Sequence, residues 1–437
     1  MKMMCLPRSP RLGVLAMFAF LSFSAQAAEP RLVIHAGALL DGTGAPLRGP
    51  STVVLDGSRI EAVMPGHQAP APGDEVLDLR GHTVMPGLID MHVHLRSESN
   101  PRAALDRFRL NPEDHVLRAA KHARTTLNAG FTTVRDLGGA EVLALRDAIN
   151  GGWAEGPRIF AAGRSIATTG GHADPTNGGR HDLWETPGPT EGVINGTVEA
   201  RAAVRQRYKD GSDVIKVTAT GGVLSQAKNG QNPQFALDEL KAIVETARDY
   251  GFHVAAHAHG EEGMRRAVLA GVTSIEHGTF MSDEVMALMR ERGTWYVPTI
   301  IAGKFVAEKA EIDGFFSEVV RPKARAIGPL IQDTFARAYA QGVPIVFGTD
   351  TGVSPHGDNW KEFGYMVEAG MPPLEALTSA MSVAAGVLGQ GDQLGQLAPG
   401  FLADVIAVEG DPLSDIGRMS AVSLVIKDGE VVRYESP

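Results

Sequence analysis

The sequence predicts an α/β chain: a (β/α)8 TIM barrel carrying a small β-sandwich built from both chain ends. Three observations predict it. Through the middle of the chain short apolar runs alternate with helical stretches, as in "LIDMHVHL", "EDHVLRAAKHARTTLNAG" and "FTTVRDLG", and such alternation means βα units and a parallel sheet. Eight apolar runs of this kind can be counted, the number a barrel needs. The two flanks read differently: "STVVLDGSRIEAVM" near the start and "ADVIAVEGDP" and "AVSLVIKDGEVVRY" near the end alternate with period two and carry Asp-Gly turns, the pattern of antiparallel β-structure. A chain of 437 residues, 43% of them hydrophobic, has room for both units.

At the N-terminus Lys2, Arg8 and Arg11 precede the apolar run "LGVLAMFAFLSF", and "SAQAAEP" follows with small residues at Ala25 and Ala27. This is the pattern of a secretory signal peptide over 1–27, cut after Ala27. The run is shorter than the about 20 apolar residues that span a bilayer, so it is not read as an anchor. Cleavage would remove three positive charges and no acid, taking the net charge from -10 to -13 (-10 minus 3). The expected protein is therefore periplasmic or secreted and free of the membrane once cut. Its acidity makes it a poor partner for nucleic acid. The only cysteine, Cys5, lies inside that segment. The mature chain can form no disulfide, and any metal must be held by His, Asp, Glu or Lys chemistry.

Residues 28–85 supply the first part of the sandwich, 86–390 the barrel and 391–437 the second part. The barrel strands are expected in "LIDMHVHL", "FTTVRDLG", "PRIFAAGR", "DVIKVTATGG", "HVAAHAHG", "VTSIEHGTF", "TWYVPTI" and "VPIVFGTD". A long loop over 166–189 follows the third, and its length points to function. The helix "LTSAMSVAAGVLG" closes the barrel.

Active residues of a barrel sit at the C-terminal ends of its strands, and there the polar residues collect. The first strand ends in His92 and His94, two apart and so on one side. The fourth carries Lys216, the fifth His257 and His259, the sixth His277, and the eighth ends at Asp350. Each alone has a plain explanation: a satisfied core histidine, a lysine that snorkels, an aspartate that caps a helix. Together they would bury too many polar groups in one mouth unless something satisfies them, and two divalent metal ions would do so. A protonated lysine would repel a metal. Burial and nearby cations lower its pKa, and the neutral amine can take up carbon dioxide to give an N6-carboxylysine at Lys216, an anion able to bridge both ions. His82 and His253 fall outside the mouth.

These residues resemble the amidohydrolase superfamily over nearly the whole mature chain. "VMPGLIDMHVH" looks like its first-strand motif and "GQLAPGFLADVIAVEGDP" like its return to the sandwich. "TTVRDLGG", "TGGHAD", "AAHAHG" and "SIEHGTFM" resemble the imidazolonepropionase-like branch, with its Xaa-Pro dipeptidases, other carboxypeptidase-like enzymes and amidohydrolases that split ochratoxin A. The resemblance implies one metal held by His92, His94 and Asp350, a second held by His257 and His277, and Lys216 bridging them. It implies zinc, and assembly into homo-oligomers. Imidazolonepropionase itself is a poorer match, since deaminases of the superfamily typically use one metal and need no strand-four lysine.

The implied reaction is hydrolysis of the amide at a C-terminal residue of a peptide or N-acyl amino acid, ochratoxin A included. Asp350 acts as catalytic base and then acid. His172 in the third loop, His259 beside His257, and His356 beyond Asp350 are the candidate substrate contacts. Arg135 and Asp136 are expected to form a structural pair. Two alternatives stay open: a hydrolase of cyclic amides or lactones, and a non-catalytic periplasmic protein that binds metal or solute.

Overall fold

The computed structural model describes residues 30–435; the expected signal peptide lies outside the described residues. The chain opens with four strands, β1 (Leu32–Leu39), β2 (Ser51–Asp56), β3 (Arg59–Pro65) and β4 (Glu75–Pro86). β2 and β3 pair antiparallel around a two-residue Gly57–Ser58 loop, whereas β1 and β4 pair in parallel. Only Gly87 separates β4 from β5 (Leu88–Val93). A Cβ there would meet Thr132 Oγ1 at 2.2 Å, so the residue at this crossing must be glycine.

From β5 onward strands alternate with helices. β6 (Phe131–Asp136) and β7 (Arg158–Ala161) follow β5 in a parallel three-stranded sheet. The helix Pro112–Asn128 between β5 and β6 has a capping box of Asn111 and Asp114 and Pro112 in its first turn, both helix-starting devices. It buries Ala119, Ala123 and Leu127, one face at a spacing of four. The long loop after β7 contains a short parallel pair, β8 (Ala167–Thr168) and β9 (Val193–Ile194). β10 (Ile215–Thr218), β11 (Val254–Ala258), β12 (Ser274–His277) and β13 (Trp295–Val297) then form a parallel four-stranded sheet.

Isolated parallel bridges join the edges of the two sheets: Ile166 to Val217, Tyr296 to Ile345 and Val93 to Thr351. The eighth run is thus a link rather than a regular strand. Pro344 can donate no ladder bond and Asp350 turns left-handed (φ 57°). Its remaining amides and carbonyls still bind both neighbours, as in Val346 N to Tyr296 O (3.0 Å), Met91 N to Phe347 O (3.1 Å) and Asp350 N to His92 O (2.7 Å). One hydrophobic core runs from Leu88 and Phe131 through Ile215, Ile275 and Phe347 to the helices outside.

β14 (Val405–Glu409), β15 (Val422–Lys427) and β16 (Glu430–Tyr434) return to the first unit. Both chain ends do meet there. The sandwich expected from them is, by hydrogen bonding, a single mixed sheet in the order β16-β15-β14-β4-β1-β2-β3. It curls back on itself: Arg59 at the head of β3 bridges Leu402, just before β14, and Val53, Ile60, Ala407 and Leu424 share one core.

The sheet is bolted to the barrel by Arg158 of β7. Its guanidinium donates to Asp404 (2.8 Å), to Asp428 and to Thr133 Oγ1 (2.9 Å), and its side chain is 19% exposed. Removing one partner of such a cluster leaves uncompensated charge. Arg158→Ala is expected to cost about 2–3 kcal/mol of stability, measured by chemical denaturation; an unchanged midpoint and slope would show that the cluster holds nothing.

Candidate metal centre

Side chains alternate along β5. Ile89 and Met91 join an outer apolar cluster with Val297 and Val346, while Asp90 and His92 face the other way, as period two requires. The interior face is built in layers. At its floor Asp90, fully buried, accepts from His92 N (3.0 Å), Thr349 N (3.1 Å), Thr349 Oγ1 (2.6 Å) and Asn359 Nδ2 (2.8 Å). Burial pushes its carboxyl up to about 6, against these bonds. Above it Glu276 of β12 accepts from Arg135 Nη2 (3.0 Å) and meets His92 Nδ1 at 2.8 Å. Arg135 therefore pairs with Glu276. The expected pairing with Asp136 does not form, because adjacent strand residues point to opposite faces; Asp136 instead accepts from Leu95 N (2.7 Å) and Gly138 N (3.0 Å).

With Nδ1 taken by Glu276, His92 presents Nε2 to the mouth. Three other groups converge on that atom: His94 Nε2 at 3.4 Å, Lys216 Nζ at 3.4 Å and Asp350 Oδ1 at 3.5 Å. Asp350 Oδ1 also lies 3.2 Å from His94 Nε2, yet it is buried and without a hydrogen bond. Donor atoms around one tetrahedral zinc, with bonds of about 2.0–2.1 Å, stand about 3.3–3.4 Å apart. His92, His94 and Asp350 have that spacing, and the orphaned oxygen is what a bound cation would satisfy.

The second group stands beside it. The rings of His257 and His277 are 4.6 Å apart, and His277 is 5.1 Å from His92. His257 Nε2 bonds Gly221 O (3.1 Å) and His277 Nδ1 bonds Thr299 Oγ1 (2.8 Å). Each ring thus keeps one nitrogen oriented by a partner and one free to ligate, the usual arrangement of metal-binding histidines. Burial lowers His92 to about 4, and with the neighbouring rings it takes His257 and His277 well below their ordinary value. All three are held as neutral imidazoles, the ligating form. Burial also lowers Lys216 to about 8, so that far more of the amine is neutral and nucleophilic at neutral pH than in an ordinary lysine. At Asp350 burial raises the pKa, and His92 and His94 more than offset it, leaving the carboxyl below its usual range.

Of the proposed substrate contacts, the structure brings two to the cavity. His172 and His259 line it together with the ligand group. His172 stacks on His257 at 4.3 Å, and its buried Nδ1 has no partner. His259 stacks on His277 at 5.0 Å with Nδ1 on Thr279 Oγ1 (2.9 Å). His356 is elsewhere: it stacks on His122 and bonds Ser97 O (3.1 Å), outside the cavity lining. His82 lies on β4 in the curled sheet, and His253 precedes β11 at the end opposite His257. The far wall of the cavity is apolar: Val223, Ala302, Val306, Ile327, Ile331 and Val353.

Glu276, Asp90 and Thr299 were not found by sequence reasoning. An acid beside His277 in the apolar run "TSIEHGTF" was the available clue to Glu276.

A profile of the Amidohydrolase family matches residues 83–432. Ochratoxinase of Aspergillus niger is 35% identical over 425 residues, covering 92% of this chain and 86% of that protein. The crystal structure of a Xaa-Pro dipeptidase with bound methionine in the active site superposes with a TM-score of 0.90 at 54% identity, covering 92% of this chain and 99% of that one. A prolidase complexed with N-methylphosphonate-L-proline gives a TM-score of 0.85 at 32% identity, over 93% and 100%. This likeness implies a TIM barrel.

Glu276→Gln keeps the shape and removes the charge facing Arg135 and His92. It is expected to weaken metal retention by about 10- to 100-fold, read by competition with a graded chelator; retention equal to wild type would mean that Glu276 does not orient His92.

Proposed function

This chain belongs to the amidohydrolase family, in its imidazolonepropionase-like branch, and is a hydrolase of amide bonds; we propose that it is an exported binuclear zinc enzyme that releases the C-terminal residue of peptides or N-acyl amino acids. The observation that carries this reading is the 3.2–3.5 Å convergence of His92, His94 and Asp350 around an unsatisfied buried oxygen. His257 and His277 would hold the second ion. Lys216, as its N6-carboxy form, would bridge the two. When bound, the ions polarise a carbonyl and acidify water at neutral pH.

The remaining work falls to the chain's own residues. Asp350 takes the proton of the attacking water and delivers it to the leaving nitrogen, which must depart as an amine. Its left-handed backbone (φ 57°) aims the carboxylate inward from the end of the eighth run. His172 and His259 offer ring nitrogens to the substrate's carboxylate, since among the described residues lining the cavity there is no arginine and the only lysine is Lys216. The apolar wall takes a hydrophobic side chain or acyl group. Ochratoxinase and Xaa-Pro dipeptidase, the named relatives, support amides of this kind. Ochratoxin A fits the same reading, with its phenylalanine on the carboxylate side. Export rests on the basic, apolar and small-residue pattern of 1–27; homo-oligomeric assembly is part of the same proposal.

The test is a panel of dipeptides, N-acyl amino acids, cyclic amides and lactones, with release of free amino acid measured before and after chelation and after zinc is restored. Zinc-dependent release from the linear compounds is expected. Turnover of only the cyclic compounds, or no turnover of any, would overturn this reading. In the same assay Asp350→Asn should lower kcat by about 100-fold or more in a chain of unchanged circular dichroism. Wild-type kcat in that variant would remove Asp350 from the proton path.

A further inference from the structure

We propose that Lys323 is a positioning residue for substrate selection: its ammonium holds the loop after β10 in the shape that brings Val223 and Leu224 to the cavity. The loop covers residues 219–236, between β10 and the helix Leu237–Asp249. Its base is closed by an isolated antiparallel bridge between Thr220 and Pro233. There Gly221 N donates to Asn232 O (3.1 Å) and Gln234 N to Ala219 O (2.9 Å). Beyond the base the backbone has no such support. Among the described residues, none from 222 to 230 makes a backbone–backbone hydrogen bond. A segment of this kind opens locally unless something else holds it.

What holds it is one side chain. Lys323, in the first turn of the helix Arg321–Ala340, donates from Nζ to Gly222 O (3.0 Å), Ser225 O (2.7 Å) and Ala227 O (2.7 Å). An ammonium has three N–H groups, so all of them are spent on this loop. Each bond is charge-assisted and stronger than a bond between neutral groups. Burial lowers the pKa of Lys323 and no carboxylate acts against it; the three carbonyls are what compensate the half-buried charge. The other ties are lighter. Ser225 Oγ donates to Gly222 O at 3.2 Å within the loop, and Ser317 Oγ to the exposed Gln226 at 3.3 Å.

The segment so held forms part of the cavity. Val223 and Leu224 lie in its lining. They pack with Ile327, which is one turn beyond Lys323 and so on the same helix face. Gly222 lies so close to the His172 ring that a Cβ would meet it at 2.2 Å. Gly221 O, which accepts from His257 Nε2 (3.1 Å), belongs to the bridged base and does not depend on Lys323. Lys323 itself does not line the cavity, so it acts on a substrate only through the loop. Releasing the loop would leave the hydrolytic group in place and blur the wall's choice between apolar groups. The inference rests on the apolar wall as the subsite for a hydrophobic group, and its first test needs no substrate.

The experiment compares the wild-type holoenzyme with Lys323→Met, which keeps an unbranched stem and removes the ammonium. Without substrate, the amides of residues 222–230 are expected to exchange hydrogen about 10-fold faster or more in the variant, read by mass spectrometry, while those of β11 and β12 keep wild-type rates. On the amides that wild type hydrolyses, the ratio of kcat/KM between a large and a small apolar group should fall about 10-fold, mainly through KM, with bound metal unchanged. Unchanged exchange overturns the proposal. Faster exchange with the wild-type ratio also overturns it, because Lys323 would then serve the fold alone. Wild type with no preference between apolar groups would overturn the subsite reading and this inference with it, whereas a preference that survives in Lys323→Met would overturn this inference only. Should Lys323→Met fail to fold, Lys323→Arg decides: it keeps the charge, but its planar fork cannot serve three carbonyls around one nitrogen. A smaller fall in the ratio with faster loop exchange supports the role, and wild-type values of both overturn it.

Discussion

A carboxylate with no access to water, that of Glu276, accepts from Arg135 with one oxygen and meets the ring of His92 with the other. Arg135 in turn donates to Met91 O (2.6 Å) and Ser274 Oγ (3.2 Å), so one guanidinium ties β5, β6 and β12 together beneath the mouth. Neither charge could stay buried alone, since an unpaired ion in such a place costs several kcal/mol. Paired, they fix the tautomer of His92 and leave its Nε2 facing upward. The distances of 3.4–3.5 Å to His94, Lys216 and Asp350 are measured from that atom. The geometry of the first ligand group is therefore set from beneath the mouth, by a pair that does not itself line the cavity.

The second group is set by strain. Among the described residues four non-glycine positions have positive φ, and three of them are His277, Thr299 and Asp350. Each such residue costs of order 1–3 kcal/mol. What the strain achieves is visible in the bonds: Thr299, turned left-handed, meets His277 Nδ1 with its hydroxyl, and Tyr296 Oη holds the carbonyl of His277 at 3.0 Å. Thr299 is pinned in turn because Glu362 accepts from the next two amides, Ile300 N (2.8 Å) and Ile301 N (2.7 Å). A buried acid caps a helix start where no side chain of the helix's own N-cap does, and the cap fixes the candidate ligand His277 two steps away. The large apolar core around these elements is what offsets the cost.

This layering explains which residues were legible in the sequence. His92, His94, Lys216, His257, His277 and Asp350 stand out because a polar side chain at the end of an apolar run breaks a pattern that can be counted. The barrel order was legible for the same reason, since each run is a parallel neighbour of the next. Glu276, Asp90 and Glu362 are also buried polar groups, but their partners lie 141, 259 and 61 residues away along the chain, and no local spacing announces such pairs. His356 misled as a substrate contact: a histidine six residues beyond Asp350 could turn either way, and its stacking on His122 is a tertiary fact. The eighth run read as a strand because its apolar pattern is one; Pro344 and the left-handed Asp350 reduce it to bridges. The curl of the terminal sheet was hidden because alternation fixes which face is buried and leaves the neighbour order open.

On the proposed reading the cavity separates reaction from selection. Its polar side consists of the imidazoles, Lys216 and Asp350 on the strand ends. Its apolar side comes mainly from the helices Ile300–Lys309 and Arg321–Ala340, with Val223 and Val353 from loops. Those helices approach closely: a Cβ on Gly303 would meet Ile331 at 2.8 Å, and one on Gly328 would meet Ala307 at 2.4 Å. The two glycines thus allow Ile327 and Ile331 to reach the cavity. A wall of this kind discriminates by shape and methylene count, at about 1–3 kcal/mol per methylene. Changes at Val306, Ile327 or Ile331 can therefore redirect which apolar group is accepted while the strand-end chemistry stays as it is. On the proposed reading, the part that cleaves and the part that chooses are built on different elements.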